Sequence, residues 1–221
     1  MARRILGPAA GILLAAGLTA GLGWAPRDGV QGDVQRIMYV HVPAILAAYA
    51  AIALVFVGSV GYLGTRRETW DRAAAAGGEL AVCFIGLTLL TGSIWGKPTW
   101  GTWWTWDARL TSTAILFVLY LSYQLLRSVV DDPERAATYA AVLGIVAALD
   151  VPIIHFSVVW WRTLHQPPTV LKPQAPSMDP AMLLALAVNV AGFLCAFAYL
   201  AVRRCRLLAL EAAARHRALD A

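Results

Sequence analysis

Six long apolar runs decide what this chain can become. They lie near Ile5–Trp24, Pro43–Gly64, Gly77–Ile94, Leu110–Val130, Tyr139–Trp160 and Ala181–Val202. Each has the roughly 17–25 residues that a helix needs to cross a bilayer. Backbone polar groups surrounded by lipid must be satisfied within their own segment, so runs of this length are read as helices. Charged or proline-rich stretches separate them: RRETWDR after the second, DDPER after the fourth, QPPTVLKPQAPSMDP after the fifth. Only 14% of the residues are charged, against about 25% in a soluble domain. A water-soluble fold is excluded. The expectation is an all-α integral membrane protein, a six-transmembrane-helix bundle with a tryptophan-rich surface segment on its outer face.

Charge placement gives the bundle a direction. With the amino terminus inside, the inner segments hold Arg3, Arg4, Arg66, Arg67, Arg72, Arg127, Arg135, Arg203, Arg204, Arg206, Arg215 and Arg217; the outer ones hold only Arg27, Arg36, Lys97, Arg109, Arg162 and Lys172. The positive-inside rule then places both termini in the cytoplasm. Residues 1–202 read as the membrane unit and 203–221 as a basic cytoplasmic tail. MARR before an apolar run also resembles a signal peptide, but the run exceeds the usual 7–15 residues and no A-x-A site follows. The net charge of +5 is scattered in short clusters between apolar runs, which argues against a nucleic-acid face. Cys83, Cys195 and Cys205 form no CxxC or CxxCH, so no disulfide framework, zinc site or covalent haem attachment is indicated. Gly7, Gly11, Gly17 and Gly21 in the first span are spaced to let another helix approach closely.

Between the third and fourth spans the chain reads WGKPTWGTWWTWDARLT from Trp95 to Thr111. Five of nine tryptophans fall there: Trp95, Trp100, Trp103, Trp104 and Trp106. An interfacial belt needs only one or two at a helix end, and gives no reason for the glycines, proline and Asp107 among them. The spacing predicts a short surface helix with its indoles on one side, an aromatic platform for a large planar apolar ligand. The stretch Gly92–Pro98 is not a phosphate loop. It has three spacers instead of four, and proline stands where Ser or Thr would hold magnesium.

His41, just before Pro43, and His165, just after Trp160-Trp161-Arg162, are expected at one depth and on the same side as the tryptophans. Neutral imidazole is a common iron ligand, and two histidines on separate loops suit the opposite faces of one haem. Each alone also reads as a polar residue at a helix end; the pair beside the tryptophans favours the ligand reading. His216 belongs to the basic tail. Asp150 falls near the middle of the fifth span beside Pro152, where a carboxylate is costly unless paired, protonated or facing a polar cavity. His155 reads as outer support for the site.

These residues resemble the haem-handling membrane proteins with a tryptophan-rich WWD segment, and within them the CcmC (haem exporter protein C) family. The resemblance is carried by Ile37-Met-Tyr-Val-His41-Val-Pro43, by Trp95–Ser112, and by Ser157-Val-Val-Trp160-Trp161-Arg-Thr-Leu-His165-Gln166, within six matching spans. It implies a role in cytochrome c maturation at the bacterial inner membrane. Haem b would be held on the periplasmic side with His41 and His165 as axial ligands, against the WWD segment Trp100–Asp107. It would be presented to the periplasmic haem chaperone CcmE, with the ABC-transporter subunits CcmA and CcmB and the small subunit CcmD as further partners. The residues expected to meet haem are His41, His165, Trp100, Trp103, Trp104, Trp106, Asp107 and Arg109, with Lys97, Arg162 and Arg36 as further outer cations for the propionates. No ATP site or thiol redox pair is present, so an assembly factor is expected, not an enzyme. Three other classes compete: a haem permease, needing polar residues beyond Asp150, His155 and Glu79 through the spans; a quinone-reactive cytochrome, needing stacked histidine pairs; and a scaffold that binds no haem.

Overall fold

The computed structural model describes residues 2–165 and 178–219. Its helices are α1 (Ala2–Thr19), α2 (Met38–Thr65), α3 (Glu68–Trp100), α4 (Ala108–Val129), α5 (Pro133–Ala148), α6 (Asp150–Trp160) and α7 (Pro180–Leu219). A π-helical turn, Ala20–Trp24, extends α1, and a 3-10 turn, Asp33–Ile37, leads into α2. Six helical stretches are long and apolar enough to cross a membrane, α5 and α6 together making the fifth. The protein is an all-α membrane protein, as expected.

The helices are longer than the apolar runs. Because the 3-10 turn feeds directly into α2, His41 occupies its first turn and Pro43 its second. At the other end, α7 continues unbroken to Leu219, through the boundary near 202 at which the basic tail was expected to begin. Arginines are good helix formers, so charge alone does not end a helix.

α2 and α3 form the central antiparallel pair, turning over at Arg66 and Arg67. Small residues let their backbones close up: a Cβ on Gly58 would come within 2.9 Å of Ala74 N and Trp70 O, and one on Gly77 within 3.0 Å of Ala51 O. Ala44, Ala47, Ala48 and Ala51 are fully buried along the same seam. Close backbone approach of this kind, with its dispersion contacts, drives association where lipid removes any hydrophobic gradient. α4 and α5 cover one side of the pair, and α7 covers the other with α1 packed outside it.

Of the α1 glycines, Gly7 meets the Tyr199 ring, Gly17 meets Asn189 and Gly21 meets Tyr39, while Gly11 faces open space. The expected helix-packing face therefore exists and is shared between α7 and α2. Asn189, fully buried, donates from Nδ2 to Gly17 O (2.7 Å) and to Ala185 O in its own helix (2.8 Å).

Two bidentate ion pairs brace the end remote from the tryptophans. Arg127 on α4 grips Asp71 (2.6 and 2.8 Å), and Arg204 on α7 grips Glu79 (2.6 and 2.8 Å). Parallel N–H···O contacts fix angle as well as distance, so α3 is oriented against both neighbours. The fifth span breaks at Leu149. Pro152 has no N–H to return to Ala148 O, so the ladder is interrupted just where α6 restarts. Asp150 Oδ2 is buried there without a hydrogen-bond partner among the described residues.

Candidate functional site

The site is built where α3 ends. Gly101 takes φ 80° and donates its N–H to Lys97 O (3.0 Å). This left-handed cap stops a helix at little cost only for glycine. From Gly101 to Asp107 the chain is non-helical, held by Ser93 Oγ donating to Trp103 O (2.8 Å) and Thr102 Oγ1 donating to Trp104 O (3.0 Å). The surface helix expected from the tryptophan spacing is thus absent: the Gly101 cap breaks the periodicity on which that reading relied. Nor do the indoles form one flat platform. Trp104 meets Trp106 edge-on, with centroids 5.6 Å apart at 79°, and Trp103 and Trp106 are 56% and 81% exposed.

The two histidines rest on successive parts of this helix end. His41 places its Nδ1 3.0 Å from Thr91 Oγ1 and its ring against the edge of Trp95 at 5.7 Å. Trp95 is itself held by donating Nε1–H to Gln31 Oε1 (2.8 Å). His165 packs against Trp100, with centroids 4.9 Å apart. Burial first, then the positive charges of Arg109 and of a protonated His41, push the His165 imidazole down to about 4, with Asp107 opposing. At neutral pH it is the uncharged, lone-pair-bearing form, and its buried Nδ1 has no hydrogen-bond partner among the described residues.

Asp107 joins the tryptophan segment to His165. Its Oδ1 caps α4 by accepting Leu110 N–H (2.8 Å), and its Oδ2 accepts Leu164 N–H (3.2 Å). One carboxylate therefore starts a helix and anchors the residue beside His165, using two separately placed acceptor oxygens where an amide has one. Arg109 reaches α6, donating from Nη2 to His155 O (3.0 Å) and from Nε to Ser157 Oγ (3.4 Å). His155 thus contributes its carbonyl, while its ring is exposed on α6 and turned edge-on to Phe156. Of the other cations expected on the outer side, Lys97 donates to Gly101 O and Arg36 to Gly21 O and Asp33; Arg162 is exposed, and Lys172 lies outside the described residues.

Thr91, Gly92 and Ser157 belong to this site and were not expected from sequence. The available signal was geometric: in a tight antiparallel hairpin, residues equidistant from the turn meet, and His41 and Thr91 are equidistant from Arg66, as are Gly58 and Ala74.

Chemically, the site offers two imidazoles and several indoles on one helix end. Among the described residues no group of three His, Cys, Asp or Glu side chains could chelate an ion. Paired nitrogen donors beside aromatic walls, with Trp104 Nε1 and Thr105 Oγ1 buried and unpartnered nearby, fit a metalloporphyrin better than a bare cation. The sequence profile of the family described as "CcmC: Heme exporter protein C" matches residues 2–220. The chain belongs to that family. It is 46% identical over 182 residues to "Heme exporter protein C" of Bradyrhizobium diazoefficiens, covering 82% of this chain and 69% of that one. It is 41% identical over 203 residues to the Escherichia coli (strain K12) protein of the same name, covering 90% and 80%. A "Putative cytochrome c biosynthesis ccmC-like mitochondrial protein" of Arabidopsis thaliana is 38% identical over 199 residues, covering 90% and 75%.

Proposed function

We propose that this family member handles haem for cytochrome c biogenesis. It binds haem b at the tryptophan end of the bundle, on the periplasmic side of the bacterial inner membrane. His41 and His165 supply the axial nitrogens. Trp100 and Trp104 flank the macrocycle, the more exposed Trp103 and Trp106 face the receiving chaperone, and Arg109 and Arg162 meet the propionates. The haem passes to CcmE, in association with CcmA, CcmB and CcmD. The iron and vinyl chemistry belongs to haem; the protein's own part is to bind, orient and release.

The observation that carries this reading is the shared footing of the two imidazoles. His41 lies against Trp95 and His165 against Trp100 on one helix end, and Asp107 ties the loop of the second to the tryptophan segment. A permease reading is weaker, because Glu79 is taken up by Arg204 and the His155 ring is turned outward on α6. The test is haem titration of the purified protein followed by its Soret band. His41→Ala and His165→Ala should each alter the band and abolish transfer to CcmE, with His216→Ala unchanged. A wild-type protein that shows no Soret band with excess haem would be a scaffold.

A further inference from the structure

His41 is half-buried in the first turn of α2, and the manner of holding selects one of its nitrogens. Thr91 Oγ1 lies 2.7 Å from Leu87 O and 3.2 Å from Thr88 O, one turn back on α3, and donates its only proton to that pair of carbonyls. A hydroxyl whose proton is spent has lone pairs left to offer. Those face His41 Nδ1 at 3.0 Å. With the hydroxyl proton kept by the carbonyls, a bare Nδ1 would set lone pair against lone pair, so this arrangement favours the tautomer with its hydrogen on Nδ1 and its lone pair on Nε2.

The floor under the ring is Gly92. A Cβ built there would stand 2.9 Å from His41 Cε1, so any side chain would lift the imidazole. Trp95, one turn beyond Thr91 and on the same face of α3, closes the ring's third side at 5.7 Å. Three residues within two turns of one helix thus seat the His41 ring.

We infer that Thr91 and Gly92 are positioning residues that present His41 Nε2, not Nδ1, to the haem iron. This rests on the reading of His41 as an axial ligand. Thr91 acts only through His41: the relay from Nδ1–H to the hydroxyl to Leu87 O polarises the imidazole and makes Nε2 the stronger donor. Partners of this kind fix both the tautomer and the orientation of a ligating histidine.

The first test needs no haem. In 15N spectra of the histidine-labelled protein, with the His41 signals assigned by their loss in His41→Ala, the wild type should show a protonated Nδ1 and a bare Nε2. A proton on Nε2 overturns the inference. Thr91→Val, equal in shape but without an acceptor, should mix the tautomers, weaken haem binding by about 10–100-fold and raise the haem midpoint potential. Thr91→Ser should restore all three. Gly92→Ala should weaken binding while leaving the tautomer unchanged. A folded Thr91→Val protein with wild-type tautomer, affinity and potential refutes the role of Thr91. If Thr91→Val does not fold, the wild-type spectrum and Gly92→Ala still decide. Should His41→Ala bind haem unaltered, it is the ligand reading that fails, whatever the tautomer.

Discussion

Replacing Asp107 by asparagine should separate its two tasks. The aspartate has two acceptor oxygens serving two backbone donors, Leu110 N–H at 2.8 Å and Leu164 N–H at 3.2 Å. Asparagine has one oxygen, and its NH2 cannot accept. Asparagine is as good a helix cap as aspartate, so the shorter bond to Leu110 is kept and Leu164 is left facing a donor. The lost bond is exposed, which sets its worth near the ordinary net value of about 1 kcal/mol, a factor of about five in an equilibrium constant. Haem affinity should fall by about that factor, because His165 is the next residue along. Asp107→Ala loses the cap as well, worth about another 1 kcal/mol, and should cost haem affinity at least as much while also lowering thermal stability. Amide hydrogen exchange gives the direct readout. In Asp107→Asn the Leu164 amide should exchange faster while Leu110 stays protected; in Asp107→Ala both should speed up. A protected Leu164 in Asp107→Asn, or a deprotected Leu110, would refute the division of labour.

Other consequences can be measured on the same purified protein. Gly58→Ala places a Cβ 2.9 Å from the backbone atoms Ala74 N and Trp70 O, which cannot yield as a side chain can. It should lower stability by about 1–3 kcal/mol in thermal melts, whereas Gly11→Ala, facing open space, should be neutral. Asn189→Ala removes the bond to Gly17 O and should cost about 1 kcal/mol, within the range found for interhelical hydrogen bonds in membranes. In haem-free protein, His165 binds its proton only near pH 4, while an unfolded histidine does so near 6.5. The folded state therefore takes up fewer protons between those values, so stability should decline as pH falls from about 6.5 to about 4. His165→Gln should flatten that slope in melts recorded across the window.

Much of the fold was legible because lipid leaves a chain few choices. A run such as Val82–Leu90 within α3 has no alternative to helix, and the DDPER stretch supplies both a cap and a first-turn proline: Asp132 accepts Arg135 N–H, and Pro133 opens α5. What the sequence concealed is where helices continue past their apolar stretch. Trp95 to Trp100 looked like connection but is the last turn and a half of α3. For the same reason the tryptophan segment was misread as a separate surface helix. A glycine with positive φ cannot be told in advance from a glycine that merely packs, yet Gly101 is the one that ends α3. His41, His165 and the tryptophan-segment residues stood out in the sequence as candidates, since histidines at one depth beside clustered indoles are unusual. Thr91 and Gly92 were not, because an i−4 hydroxyl bond and a glycine are ordinary furnishings of any membrane helix. Their meaning comes from the ring across the hairpin.

The Gly17–Asn189 hydrogen bond also has a consequence in time. The helices it joins, α1 and α7, hold partners separated by 172 positions. At a translation speed of roughly 5–20 residues per second, α1 waits roughly 9–34 s for the asparagine that will dock on it. Throughout that wait its Gly17 face stays bare to lipid or to whatever assists insertion. Docking of α7 on α1 is therefore a late event, and a chain truncated ahead of α7 would leave the ribosome with the Gly17 face of α1 still unclaimed.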